Sequence, residues 1–329
     1  MFFRFIVLFT SCVLFMRCNS LSSNKAPKAV LVIHGGAGWI SRESVTDSME
    51  QEYIYTLKES LLKGRAMIKS GGSSLDAVQI AIEHLEDSPL FNAGKGSVFT
   101  NNGTIEMDSA LMDGATGNAG AATGIGTIKN PIQVARAILD HSVHVFLVGA
   151  GAEAFALEQG LTQVDSSYFF TQKNFDKLLE AKASMEMVKQ DKLGTVGAAA
   201  LDQNGNLAAG TSTGGMTNKR YGRIGDAPVI GAGTYAENGV CGISATGHGE
   251  YFIRYVVAHD IAARIKYANQ NIVQASSEVI ESFRAKGGLG GVIGLDADGN
   301  VVMPFNAKGM FRGYIALEGD PVVALYGTH

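Results

Sequence analysis

Cysteine is scarce in this chain of 329 residues: Cys12, Cys18 and Cys241 are too few and too scattered for a disulfide framework. A small stapled scaffold is excluded, and a chain of this length can bury a core without one. A basic surplus is also missing, with 27 Lys and Arg against 31 Asp and Glu and a net charge of −4. That removes the electrostatic footprint of a nucleic-acid binder. No apolar run reaches the roughly 20 residues that a helix needs to span a bilayer. Phosphate-binding signatures are lacking as well, because His34-Gly35-Gly36-Ala37-Gly38 has neither the G-x-G-x-x-G spacing nor a Walker Lys-Ser/Thr end. There is no G-x-S-x-G elbow. His141 and His144 have no third ligand nearby in sequence and read as surface histidines.

Glycine is plentiful: 41 residues, against an average usage of roughly 7%. The glycines cluster between apolar runs without a three-residue period, which implies tight turns and close backbone approaches rather than collagen. At 46% hydrophobic and 18% charged, the composition is that of a globular protein. Arg4, the apolar run Phe5 to Phe15 and the polar stretch Arg17 to Lys25 have the layout of a secretory signal. Residues 1–22 are therefore expected to be a leader, and the protein to be exported, periplasmic or secreted. Lipid anchoring through Cys12 or Cys18 stays open, although Met16 and Arg17 precede Cys18 where small residues are expected.

Further along, Ala29 to Ile33 reads as a strand ending at the glycine-rich turn 34–38. A helix is expected over 44–69, with Met49, Tyr53, Leu57, Leu61 and Ile68 on one face, closed by Gly71-Gly72. A second follows, capped by Ser73 and Asp76. Strands and turns are expected over 94–126, a helix from Pro131 to Leu139 and a short buried strand from Val143 to Val148. The stretch 165–192, with its Lys and Glu and no strong period, reads as a mobile connector running up to Gly194. An internal echo follows: Leu201-Asp202, Gly205-Asn206 and Gly215-Met216 recur at the spacing of Leu295-Asp296, Gly299-Asn300 and Gly309-Met310. Each copy reads as a hairpin, and the two flank helices over 250–267 and 272–283. This pattern points to sheet packed on sheet with helices outside.

Chemistry concentrates in the second half. Thr195 follows Gly194 directly at the start of a strand. It is either an ordinary β-branched strand residue or, if the preceding bond is cut, an N-terminal residue whose amine can serve as base for its own hydroxyl. Arg223 and Asp226 supply a cation and a carboxylate suited to an amino acid, or else an ion pair with each other. Thr246-Gly247-His248-Gly249-Glu250 puts a hydroxyl and backbone N–H groups just ahead of a helix, a geometry able to hold an oxyanion. Cys241, inside an apolar run, reads as a buried inert thiol.

From about Ala29 to nearly the C-terminus the sequence resembles the plant-type L-asparaginase and isoaspartyl peptidase family, in the N-terminal nucleophile hydrolase superfamily. The carriers are HGGAG at 34–38, PLFNAGKGSVFT at 89–100, MDGATG at 112–117, GTVGA at 194–198, STGGMTNK at 212–219, GRIGD at 222–226 and TGHGE at 246–250. The stretch AATGIGT at 121–127 departs from the family's usual pattern. The resemblance implies an α+β fold, a four-layer αββα sandwich forming one globular domain. It implies a precursor cleaved between Gly194 and Thr195 into an α chain, 23–194, and a β chain, 195–329. By the same carry-over Thr195 is the nucleophile, Thr213 supports its amine, and Asn92 lies against it. Arg223 and Asp226 hold the substrate's carboxylate and amine, with Gly247 and Gly249 lining the same pocket, and Thr246 and Gly247 form the oxyanion hole. No cofactor is implied for catalysis. A structural sodium ion is implied, held by the carbonyls of Leu85, Glu86, Ser88, Phe91, Ala93 and Lys95. The implied assembly is a dimer of processed heterodimers, with a small-molecule or dipeptide substrate and no nucleic acid. STGGMTNK favours the peptidase branch over the related glycosylasparaginases; an unprocessed, catalytically silent binding protein is the alternative from another class.

Overall fold

The computed structural model describes residues 30–184 and 194–327, so the expected leader and residues 185–193 of the expected connector lie outside it. Twelve strands are present among the described residues: β1 (Val30–Gly38), β2 (Met107–Asp113), β3 (Ala119–Ile125), β4 (Phe146–Val148), β5 (Val196–Leu201), β6 (Leu207–Thr213), β7 (Thr234–Glu237), β8 (Cys241–Gly247), β9 (Gly290–Asp296), β10 (Val301–Val302), β11 (Gly309–Ala316) and β12 (Val322–Tyr326). They form an eight-stranded sheet in the order β12, β11, β1, β5, β6, β2, β3, β4 and a four-stranded sheet in the order β10, β9, β8, β7. Helices α1 (Asp47–Lys69), α2 (Ser74–Glu86) and α3 (Pro131–His141) cover the outer face of the large sheet. Two others, α4 (Gly149–Glu158) and α5 (Gln172–Ala183), help bury a cluster at its β3 edge. The small sheet is covered by α6 (Gly249–Tyr255), α7 (Val257–Ala268) and α8 (Ile272–Ala285). The result is the four-layer αββα sandwich.

The central strands are apolar on both faces because both are covered. Leu31 and Ile33 of β1 and Ala198 and Ala200 of β5 face α1 and α2, while Val32 and Ala199 pack between the sheets against Ile293 and Leu295. Ser73 caps α2 through Asp76 in a reciprocal capping box, and Pro131 opens α3. The hairpin echo is real at its turns: Asp202 Oδ1 accepts the N–H groups of Asn204 and Asn206, and Asp296 Oδ1 those of Asp298 and Asn300. It fails beyond them, since Gly215-Met216 sits in a loop and Gly309-Met310 in β11.

Several expectations need correction. Strand β1 runs on through the glycines to Gly38, with a bulge between His34 and Gly36, because its partner β11 continues to pair with it. Of the buried strand expected over 143–148 only Phe146–Val148 forms a strand, the edge strand β4, which pairs parallel to β3 and is exposed, Val148 by 66%. The stretch 165–192 is not featureless: Asp165 caps a short 3-10 turn and α5 follows, anchored by Asn174 Nδ2 on the Gly96 carbonyl at 2.7 Å. The helix expected over 250–267 breaks at Val256, which adopts φ 47°.

Candidate active site

Thr195, 9% exposed, stands just ahead of β5 with Gly194 before it. Its hydroxyl lies 2.8 Å from the Gly194 carbonyl oxygen and 3.1 Å from Thr213 Oγ1. Thr213 closes β6, whose antiparallel pairing with β5 sets the two threonines side by side. The Thr213 hydroxyl is 3.1 Å from the same Gly194 carbonyl and accepts the Gly215 N–H at 3.0 Å. Asn92, in the loop after α2, donates both Nδ2 hydrogens, to Gly194 O at 2.8 Å and to Gly215 O at 2.7 Å. Its own Oδ1 accepts the Val98 N–H. Three donors thus converge on the Gly194 carbonyl, an arrangement that favours negative charge on that oxygen.

The carbonyl of Thr195 is held from the other side. His34 Nδ1 lies 2.9 Å from it, and His34 Nε2 lies 3.0 Å from Ser244 Oγ. Burial pushes the His34 pKa down to about 3, so the ring is neutral. A carbonyl can only accept, so Nδ1 carries the proton and Nε2 accepts from Ser244. Ser244 is joined in turn to Thr211 at 2.7 Å, and Thr211 to Thr234 at 2.6 Å. One proton per hydroxyl then runs in a single direction, from Thr234 through Thr211, Ser244 and His34 to Thr195. All four side chains are fully buried between the sheets. Gly197 is obligatory beside them, because a Cβ there would lie 2.0 Å from Ser244 Oγ and 2.4 Å from His34 Nε2.

Arg223 and Asp226 do not form the ion pair that spacing allowed. Arg223 is clamped by Glu250, through Nε to Oε1 at 2.8 Å and Nη2 to Oε2 at 2.9 Å. The fork–fork pairing fixes the guanidinium plane and leaves Nη1 free of that clamp. Asp226 is 6% exposed and its Oδ2 has no partner. Burial pushes its pKa up to about 7, against the opposing pull of the Arg223 cation. A Cβ on Gly249 would come 2.8 Å from Arg223 Nη2 and 3.0 Å from Asp226 Oδ1, so only glycine fits there. An ammonium is the natural partner for this carboxylate, and a carboxylate for the remaining face of the guanidinium.

Thr246 and Gly247 end β8 at the start of α6. Thr246 is fully buried, and its Oγ1 accepts the Ala37 N–H at 3.2 Å, which leaves its proton available to donate. Two hydroxyls, a set of fixed donors, and a carboxylate beside a guanidinium form the equipment of acyl transfer on an amino-acid-like substrate.

The six residues expected to hold sodium span the last turn of α2 and the tight loop after it, where the carbonyls of Leu85, Phe91 and Ala93 accept backbone N–H groups. Oxygen donors of this kind suit a hard cation. No cluster of His, Cys, Asp and Glu able to hold a metal is found among the described residues. Cys241 is buried and its thiol pushed up by burial.

The sequence reading missed His34, Ser244 and Glu250. His34 and Glu250 lay in quoted motifs, HGGAG and TGHGE, with no role attached; Ser244 had no signal at all, since a serine in a buried strand is unremarkable until its cross-sheet neighbour is known.

The family model described as Asparaginase matches residues 27–325. A putative isoaspartyl peptidase/L-asparaginase of Dictyostelium discoideum is 46% identical over 309 residues, covering 83% of this chain and 89% of the relative. The isoaspartyl peptidase of Salmonella typhimurium is 46% identical over 283 residues, covering 83% and 90%. A probable isoaspartyl peptidase/L-asparaginase of Arabidopsis thaliana is 39% identical over 296 residues, covering 82% and 90%.

Proposed function

Since the chain belongs to the asparaginase family of N-terminal nucleophile hydrolases, we propose that it hydrolyses β-aspartyl amides, isoaspartyl dipeptides and L-asparagine, with Thr195 as nucleophile. The observation that carries this reading is the Thr195 hydroxyl 2.8 Å from the carbonyl oxygen of Gly194, with Asn92 and Thr213 aimed at the same oxygen.

Self-cleavage comes first. The Thr195 oxygen attacks the Gly194 carbonyl carbon, and Asn92 Nδ2 and the Thr213 hydroxyl hold the oxyanion. As the C–N bond breaks, the hydroxyl proton ends on the freed amine. Water then hydrolyses the ester, leaving Gly194 as a carboxylate and Thr195 as an N-terminal residue. Its amine now takes the hydroxyl proton for substrate attack.

Arg223, oriented by Glu250, receives the substrate's α-carboxylate, and Asp226 its ammonium. The β-amide carbon is thereby set before Thr195, which recovers much of the entropy of a bimolecular encounter. The Thr246 hydroxyl and the Gly247 N–H hold the new oxyanion. The amine passes its proton to the leaving nitrogen, and water releases L-aspartate. The carbonyls of Leu85, Glu86, Ser88, Phe91, Ala93 and Lys95 would hold a sodium ion that steadies the loop carrying Asn92, with no part in bond making. Export rests on the leader-like residues 1–22, and the assembly is read as a dimer of processed heterodimers.

Side-by-side turnover of β-Asp-Leu, L-asparagine and a glycosylated asparagine by the purified protein tests the reading. Hydrolysis of the first two, abolished in Thr195→Ala, is expected; turnover of the glycosylated substrate alone would move the enzyme to the glycosylasparaginase branch.

A further inference from the structure

A cavity of about 170 Å³ is lined by residues that flank the Thr246-Gly247 turn. Its inner wall is shared with that turn. Ala37, whose N–H bonds Thr246 Oγ1, lines it, as do Gly290, the strand partner of Gly247, and His248, the next residue in the chain. Asn306 makes this wall rigid: its Oδ1 accepts the Gly290 N–H at 2.8 Å and its Nδ2 donates to Gly288 O at 3.0 Å. The His248 N–H is held by Leu289 O at 2.9 Å. The outer lining differs, with Trp39 47% exposed, Leu289 37% exposed, and an exposed Lys308 whose ammonium sits 3.8 Å from the centre of the Trp39 ring.

We propose that this cavity receives the leaving half of an isoaspartyl dipeptide, an inference that rests on the β-aspartyl reading above. Arg223 and Asp226 engage the aspartyl half, and we place the amide nitrogen and the residue attached to it on the side of the oxyanion turn away from them. The cavity is lined by His248, which follows that turn, and by Gly290, which pairs with Gly247. A cavity of roughly 150 Å³ accommodates a group the size of benzene, so a leucine or phenylalanine side chain fits against Trp39, Leu289 and Ala307. That residue ends in a free carboxylate, and Lys308 at the mouth is its cationic partner. Burial pushes His248 below its ordinary pKa, and the Lys308 ammonium is the cation at the mouth. The rigid wall means that the site is preformed and need not be ordered by the ligand. L-Asparagine, whose leaving group is ammonia, makes no use of it.

The test uses the processed full chain, with β-Asp-Leu, its C-terminal amide and L-asparagine as substrates. Lys308→Met should raise KM for β-Asp-Leu about two- to fivefold relative to L-asparagine, the worth of one exposed charge pair, and should abolish any preference for the acid over its amide. Trp39→Ala should lower kcat/KM for both dipeptides relative to L-asparagine. Variants in which the dipeptide and L-asparagine parameters move together, or in which acid and amide keep their wild-type ratio, would overturn the cavity's role while leaving the β-aspartyl reading intact. A wild-type protein inactive on all three would overturn that reading and the cavity's role with it.

Discussion

The ring of His34 and the backbone carbonyl of Thr195 are joined by a 2.9 Å hydrogen bond between neighbouring strands of the large sheet. The bond fixes the peptide plane that leaves Thr195, and with it the direction of the hydroxyl and amine on the other side of the Cα. His34→Leu removes the donor to the buried Thr195 carbonyl, worth about 1–3 kcal/mol when left unpaired, and takes one of its two partners from the Ser244 hydroxyl, which keeps Thr211. We expect a lower Tm, slower self-cleavage and reduced kcat with little change in KM. His34→Asn, which keeps a donor at the Nδ1 position, should recover part of each. A His34→Leu protein with wild-type processing and kcat would deny the histidine any positioning role.

Arg223→Lys keeps the charge but loses the planar fork, so neither the clamp by Glu250 nor the grip on a substrate carboxylate survives in its present form. The loss in kcat/KM should be on the order of a hundredfold, the scale of a broken buried charge pair, with self-cleavage retained. Glu250→Gln keeps an acceptor but not the charge and should lose less. Steady-state kinetics on L-asparagine decides; a Lys variant as active as the wild type would take Arg223 out of the site.

The layers of the fold were legible because α1 and α2 obey a clean helical period and α2 carries its own cap in Ser73 and Asp76, while the central strands stand out as short apolar runs bounded by turn residues. The site was legible only as motifs. No spacing rule says that β1 lies beside β5, so the bond from His34 to Thr195 could not be read from residues 161 positions apart. Nor could Glu250, 27 residues from Arg223, be preferred over Asp226 as its partner, since the turn at 247–249 decides which carboxylate faces the guanidinium. Exposure of the strand over 143–148 was hidden for a similar reason. Its apolar composition resembles that of a buried strand, and its position at the sheet edge is a property of topology alone.

Asp226 gives the pH dependence a sign. In the free enzyme burial holds its pKa at about 7, and protonation removes its attraction for the substrate's ammonium. The freed amine of Thr195 must also be unprotonated, with an ordinary value of about 7.7–8.0. Below neutrality kcat/KM should therefore fall with a slope approaching two. The kcat profile should fall with a slope of one, because bound ammonium keeps Asp226 ionised in the complex. Equal slopes in the two profiles would count against Asp226 as the ammonium site.

Glu86 is fully buried at the end of α2, accepting the Ser212 hydroxyl at 2.6 Å and the Ile132 N–H at 3.0 Å, with Oε2 unpartnered. Burial raises its pKa from 4.5 to about 8. For an acid whose folded pKa lies above the unfolded one, the folded state holds the extra proton between the two values, so stability falls as pH rises through that window. Glu86→Gln keeps the Oε1 acceptor and removes the titration. Its Tm should decline less than the wild-type Tm between about pH 5 and pH 8. A parallel decline in both proteins would show that Glu86 is ionised throughout.

Every catalytic step proposed for Thr195 requires it to become an N-terminal residue. Intact-mass spectrometry of the purified wild type, Thr195→Ala and Thr246→Ala proteins measures this directly. The wild type should separate into two chains, the smaller beginning at Thr195, and Thr195→Ala should remain a single inactive chain. Thr246→Ala, which retains Asn92 and Thr213 around Gly194, should be cleaved like the wild type while losing on the order of 10²–10³ in kcat. A wild-type chain that turns over L-asparagine while still intact, or one cut at any other bond, would contradict the account.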